Sequence, residues 1–194
     1  MLAWSYLLGR GVSASDVRRY RIGYGITGHP RFRALRARLT LPCPDGIEGR
    51  LIPGHTHGVW EPEQRYVVPA GDPKRPWGID RVDPARGPLA IVEGALDAIA
   101  LARADVQAVA LRCKRLHPAD AAAIRQAGVT SAYLGLDTTP DVTPAVLESL
   151  AGALARAGVD ARAVRGPETG DWGDLLRLPY PELLAAAAAG MVAR

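Results

Sequence analysis

Three acidic residues each follow a short apolar run that reads as a buried strand. Glu93 follows Leu89-Ala90-Ile91-Val92, Asp137 follows Ala132-Tyr133-Leu134-Gly135-Leu136, and Asp171 closes the loop after Ala161-Arg162-Ala163-Val164. Helical patterns separate these runs, which predicts parallel strands and places every carboxylate at the same end of one sheet. Carboxylates gathered there repel one another. At ~4 Å and an effective dielectric near 20 the cost is roughly 4 kcal/mol per pair. A hard divalent cation removes that cost, and oxygen-only ligands favour Mg2+ or Mn2+ over zinc. The expected chemistry is metal-assisted phosphate chemistry.

The elements that must position these residues are legible from residue 89 onward. Strand 89–92, helix 95–103, strand 106–111, helix 118–127, strand 131–136, helix 144–157 and strand 160–165 alternate at regular spacing, and an alanine-rich helix over 182–189 follows. His117-Pro118 and Thr143-Pro144 each put proline in a first helical turn. The front of the chain has a different texture. Ser13-Ala14-Ser15-Asp16 has capping-box spacing ahead of a first helix, which Gly23-Tyr24-Gly25 ends. Arg31 to Arg38 is a basic helical or irregular stretch. Strands 38–42 and 49–52 join through Pro44-Asp45-Gly46, and a third, 65–68, adds to them. Residues 69–88 are rich in proline and glycine, so the boundary is set near Gly87-Pro88. The expected organisation is a basic N-terminal α+β subdomain, 1–87, and an α/β domain, 88–194.

Composition limits the alternatives. The 194 residues are 48% hydrophobic, enough for a substantial core. No run is long and apolar enough to span a bilayer, and no signal pattern opens the chain. Cys43 and Cys113 are far apart and lack Cys-x-x-Cys spacing, which argues against a disulfide framework and predicts a cytoplasmic protein without membrane partners. Residues 1–88 carry 14 basic and 8 acidic side chains, and residues 89–194 carry 10 and 12. A basic half beside an acidic half suits a protein that handles a polyanion. Only Lys74 and Lys114 among the basic residues are not arginine, so a compositional bias toward arginine explains the same counts.

The sharpest motif is Ile91-Val92-Glu93-Gly94-Ala95-Leu96-Asp97, in which Gly94 permits a tight strand-to-helix turn and Asp97 lies one helical turn from Glu93. It resembles the first signature of the Toprim domain shared by bacterial-type (DnaG-like) primases, topoisomerases and some nucleases. Leu136-Asp137-Thr138-Thr139 is similar in position to the family's Asp-x-Asp, but Thr139 stands where the second aspartate is expected. Asp141 and Asp97 are the nearest substitutes. Gly170-Asp171-Trp172-Gly173-Asp174-Leu175-Leu176 resembles the Asp-x-x-Asp-Leu-Leu ending of phage and plasmid primase domains. Asp174 reads equally as an N-cap.

The resemblance to primases continues through the front half. Tyr6 to Ser13, Leu35-Arg36-Ala37-Arg38-Leu39-Thr40-Leu41-Pro42, Gly49-Arg50-Leu51-Ile52, Arg65-Tyr66-Val67 and Trp77-Gly78-Ile79 are similar, in order, to segments of the primase RNA-polymerase domain. The resemblance implies a Toprim fold, a Rossmann-like parallel sheet flanked by helices, behind the α+β subdomain. It implies a mobile-element-like DNA primase core without the zinc-binding and helicase-binding modules. Such an enzyme makes short primers on single-stranded DNA from nucleoside triphosphates, with a replicative helicase or a template-recognition protein as further partner. Glu93, Asp137 and Asp171 are then the implied catalytic residues. Glu93, Asp97, Asp137, Asp141 and Asp171 are the implied ligands of Mg2+ or Mn2+. Arg36, Arg38, Arg50, Arg65 and Lys74 are the implied contacts to template or nucleotide phosphates, a role suited to the planar guanidinium fork.

Two other functions fit the same residues: a Toprim nuclease, and a nucleic-acid-binding module weakened in catalysis by Thr139. A topoisomerase does not fit in this length. His55 and His57 lack a third ligand and read as surface histidines. Trp4, Trp60, Trp77 and Trp172 could stack on bases but read better as packing residues.

Overall fold

The computed structural model describes residues 2–26, 29–43, 46–54, 64–72, 75–111, 115–137, 142–168 and 170–192. The expectations for Pro44, Asp45, His55, His57, Trp60, Lys74, Cys113, Lys114, Thr138, Thr139 and Asp141 lie outside the described residues. The chain divides into two compact units, Met1–Lys74 and Arg75–Arg194. This division comes ahead of the expected boundary at Gly87-Pro88. Its physical reason is Trp77, which is buried and exchanges backbone hydrogen bonds of 2.9 and 3.0 Å with Ala110, so the connector-like stretch is drawn into the second unit.

The first unit begins with two helices, α1 (Leu2–Gly9) and α2 (Ala14–Tyr20). Helix α1 has no expected counterpart, because its residues are apolar all round and carry no capping signal. Helix α2 starts as its sequence predicts: the Ser13 hydroxyl accepts from the Asp16 amide (3.2 Å), and the Asp16 carboxylate accepts from the Ser13 amide (2.8 Å). Four antiparallel strands follow in the order β1 (Gly23–Tyr24), β2 (Arg38–Cys43), β3 (Gly46–Leu51) and β4 (Tyr66–Val67). The basic stretch is a 3-10 helix, Pro30–Leu35. Leu35, from that helix, approaches Gly49 so closely that a Cβ there would lie 2.8 Å from it, so this face of the sheet is covered. Leu39, Leu41, Glu48 and Arg50 are buried on the other face.

The second unit is a four-stranded parallel sheet, ordered β6-β5-β7-β8, with β5 at Leu89–Val92, β6 at Ala108–Ala110, β7 at Ser131–Leu134 and β8 at Asp160–Ala163. Helices α3 (Ala95–Arg103), α4 (Pro118–Gln126) and α5 (Pro144–Arg156) connect the strands, and α6 (Tyr180–Gly190) follows a 3-10 helix, Trp172–Arg177. One face of the sheet packs Leu89, Ile91, Val109, Ala132 and Leu134 against Ile124 of α4 and Leu150 and Leu154 of α5. Helix α3, buried from Ala95 to Leu101, lies against β5 and β6 outside that cluster, so helices flank both faces. The α/β class read from sequence is what the structure has. Strand β6 is shorter than the expected 106–111 because Asp105 (φ 62°) and Val106 close α3, the Val106 amide donating to the Leu101 carbonyl at 2.9 Å. Among the described residues no helix is long and apolar enough to cross a membrane.

Candidate active site

Parallel strands end together, so β5 and β7 deliver Glu93 and Asp137 to one rim. The two strands are neighbours, Ile91 registering with Leu134, and the Gly135 amide adds a last rung to the Ile91 carbonyl (2.9 Å). Neighbouring strands lie about 4.8 Å apart. Glu93 follows β5 directly, and Asp137 sits three residues past β7. Both are partly exposed, yet Oε2 of Glu93 and Oδ1 of Asp137 are screened from solvent. Gly94 has φ −118° and ψ 155°, an extended conformation open to any residue, so the turn does not need glycine for its backbone angles.

Asp97 was expected as an auxiliary ligand, and its carboxylate has different partners. Oδ2 accepts from the Gly94 amide and Oδ1 from the Gly173 amide, each at 2.8 Å, and the residue is 5% exposed. Both oxygens are thus held by backbone N–H groups in charge-assisted hydrogen bonds. Asp171 lies at the same rim as the N-cap of the 172–177 turn. Its Oδ1 accepts from the Asp174 amide (2.9 Å), while Oδ2 of Asp174 accepts from the Asp171 amide (3.2 Å). The capping role weighed for Asp174 therefore belongs to Asp171, with Asp174 its reciprocal partner. Asp174 also pairs with Arg177 at 3.3 Å.

Trp172 was not expected to have a part in the rim. It is fully buried, and its indole N–H donates to the Gly135 carbonyl at 2.8 Å, joining the Asp171 turn to the end of β7. A Cβ on Gly135 would lie 3.0 Å from that indole nitrogen, and one on Gly190 of α6 would lie 2.8 Å from the far edge of the ring. The sequence trace of this arrangement is a tryptophan paired with a glycine just past the end of β7.

Glu93 and Asp137 offer the hard oxygen donors that a divalent cation would need, whereas both oxygens of Asp97 are taken by amides. Among the described residues no group of three carboxylate, histidine or cysteine side chains could hold a metal ion. A two-carboxylate rim is still a recognised way to bind magnesium, which keeps its waters and takes further oxygens from substrate phosphates.

The expected basic residues divide by burial. Arg36 and Arg65 are exposed. Arg38 is 1% exposed and donates to the Gln64 carbonyl at 2.6 Å. Arg50, 4% exposed, donates to the Tyr66 hydroxyl (2.5 Å) and the Tyr6 hydroxyl (3.3 Å), with its guanidinium 5.3 Å from the Tyr66 ring centre. These two arginines are structural parts of the small sheet, because both of its faces are covered. Trp77 and Trp172 are buried packing residues, and Trp4 is exposed.

The sequence matches no family model and no curated protein. Solved structures do match. The Aquifex aeolicus primase, comprising zinc-binding and RNA polymerase domains, aligns with a TM-score of 0.74 at 17% identity over 96% of this chain and 55% of that one. The chain thus spans about half the length of that structure. The RNA polymerase domain of Mycobacterium tuberculosis primase DnaG gives a TM-score of 0.72 at 17% identity, over 96% and 75% of the two chains. A DnaG primase catalytic domain bound to single-stranded DNA gives 0.67 at 20% identity, over 98% and 72%. At these identities the likeness establishes the fold: a mixed α/β chain whose parallel four-stranded sheet, flanked by helices, matches the core of DnaG primases.

Proposed function

We propose that this chain is the catalytic core of a DNA primase, a metal-dependent nucleotidyltransferase that makes short primers on single-stranded DNA. The observation that carries this reading is the likeness to primase cores over 96% or more of the chain, covering the antiparallel basic unit as well as the acidic-rimmed sheet. One of those relatives holds single-stranded DNA and another double-stranded DNA.

In this reading Glu93 and Asp137 hold Mg2+ or Mn2+, with Asp171 beside them and Asp141 completing the acidic set. A cation held there would supply charge stabilisation for an in-line displacement at the α-phosphate, in which a 3′-hydroxyl attacks and pyrophosphate leaves. Glu93, at the strand end, is the group suited to orient that hydroxyl and accept its proton. Arg36, Arg65 and Lys74 bind phosphates of template or nucleotide. Arg38 and Arg50 support them from inside the sheet. A helicase or template-recognition protein supplies the choice of start site.

The test is incorporation of labelled nucleoside triphosphates on single-stranded templates with Mg2+ or Mn2+, beside Glu93→Gln. Primers from the wild type and none from the variant support the reading. A second reading, a binding module without catalysis, is favoured by Thr139 in the place of an expected aspartate. It gains if no product forms on varied templates while single strands bind tightly in a salt-dependent way. Shortened strands in the absence of nucleotides identify a nuclease instead.

A further inference from the structure

We infer that Asp97 and Trp172 are positioning residues, two pins that hold the Asp171 turn in register with Glu93 and Asp137. The inference rests on the proposed cation-binding role of the rim. Each acidic residue of the rim belongs to a separate stretch of chain, and no strand pairing fixes the Asp171 turn: β8 ends at Ala163, eight residues earlier. Burial of Leu175 and Leu176 packs the turn onto the domain, and two side-chain hydrogen bonds tie it to the strand ends that carry the other acids.

Asp97 joins the first pair. Its carboxylate takes the amide of Gly94, next to Glu93, and the amide of Gly173, two residues past Asp171. Trp172 joins the second pair, its indole N–H reaching the carbonyl of Gly135, two residues before Asp137. The two bonds leave adjacent segments of the turn and run to the two strand ends that carry the other acids. At the far end of α3, Arg103 donates to the Leu176 carbonyl at 3.3 Å, so one helix grips the turn near both its ends. Groups hydrogen-bonded to metal ligands typically change metal affinity by about 10- to 100-fold when altered, and these two act one step further out, on the backbone beside the acids.

The test uses Trp172→Phe and Asp97→Asn, with Mn2+ binding read by electron paramagnetic resonance in the absence of nucleotide. Phenylalanine keeps a ring in the buried site but has no N–H to donate. Asparagine keeps the shape but offers one acceptor oxygen to two amide donors. The tryptophan variant preserves net charge, so a loss it shares with the asparagine variant is not simple electrostatics. Ile124→Val, in the core on the opposite face of the sheet, supplies a matched loss of stability without touching the rim.

The expected result is a Mn2+ dissociation constant raised about tenfold in both pin variants and unchanged in Ile124→Val. If all three variants bind as the wild type does, or all three weaken in proportion to their loss of stability, the pins are merely structural and the inference falls while the cation reading stands. If the wild type itself takes up no Mn2+, the cation reading falls and the inference with it.

Discussion

In the antiparallel unit the strand-borne charges are enclosed: Arg38, Glu48 and Arg50 are at most 4% exposed, and the arginines bond to a backbone carbonyl and two tyrosine hydroxyls. In the parallel unit the two strands that lead to the acids, β5 and β7, carry no charge within them, and the acids stand just past their ends. The contrast follows from how each sheet is built. Crossover helices cover both faces of a parallel sheet and leave only its strand ends for chemistry. The small antiparallel sheet has both faces covered too, but its charged residues lie within the strands and are buried with them. Charge at a strand end is therefore available for function, and charge inside a doubly covered strand is committed to the fold. Asp97, on α3 beside the same rim, is likewise committed to the fold, because backbone amides take both its oxygens.

Perturbing each class should separate activity from stability. Glu93→Gln should lower primer synthesis about 100- to 10,000-fold, the range for losing a general acid or base, with far-UV circular dichroism unchanged. Asp97→Ala should add a loss of stability to the loss of cation affinity. It strips two buried amides of a charged partner, and urea denaturation should show the second unit destabilised by about 3 kcal/mol. Arg50→Ala belongs to the enclosed class: about 2 kcal/mol should disappear from the stability of the first unit as its hydroxyl bonds and ring contact go. Should Arg50→Ala leave that unit's unfolding unchanged while abolishing DNA binding, the contrast drawn between the two sheets fails.

How far the sequence reached differs between the same two regions. The alternation of strand and helix from residue 89 is nearly reproduced, helices α4 and α5 beginning at Pro118 and Pro144 as their prolines predict. Periodicity and helix-start chemistry are local signals, so they survive into the fold. The emergence of Glu93 and Asp137 at the same end of one sheet also follows from local pattern plus the rule for parallel sheets, whereas the adjacency of β5 and β7 does not. The partners of Asp97 do not, because Gly173 is 76 residues away and its amide bears no mark in sequence. Trp172 could be assigned to packing but not to Gly135, for the same reason. In the front half, arginines 36, 38, 50 and 65 looked alike as charges. What sorts them is coverage of the sheet by Leu35 and Tyr6 from helices outside it, a tertiary fact.

Arg36 gives the smallest effect and the most direct measure of that sorting. It sits at the end of the Pro30–Leu35 turn and is exposed, two residues from the buried Arg38. Replacing Arg36 with alanine removes charge from the surface without opening a buried site, so the unfolding midpoint should stay where it is. A phosphate contact made by this side chain releases a counterion, and its loss should flatten the dependence of log affinity on log salt by about 0.7 for single-stranded DNA. Fluorescence anisotropy of a labelled oligonucleotide across a salt series reads that slope. A slope equal to the wild type's, with affinity unchanged, would return Arg36 to the ordinary solvated charges and leave Arg65 and Lys74 as the basic contacts of the unit.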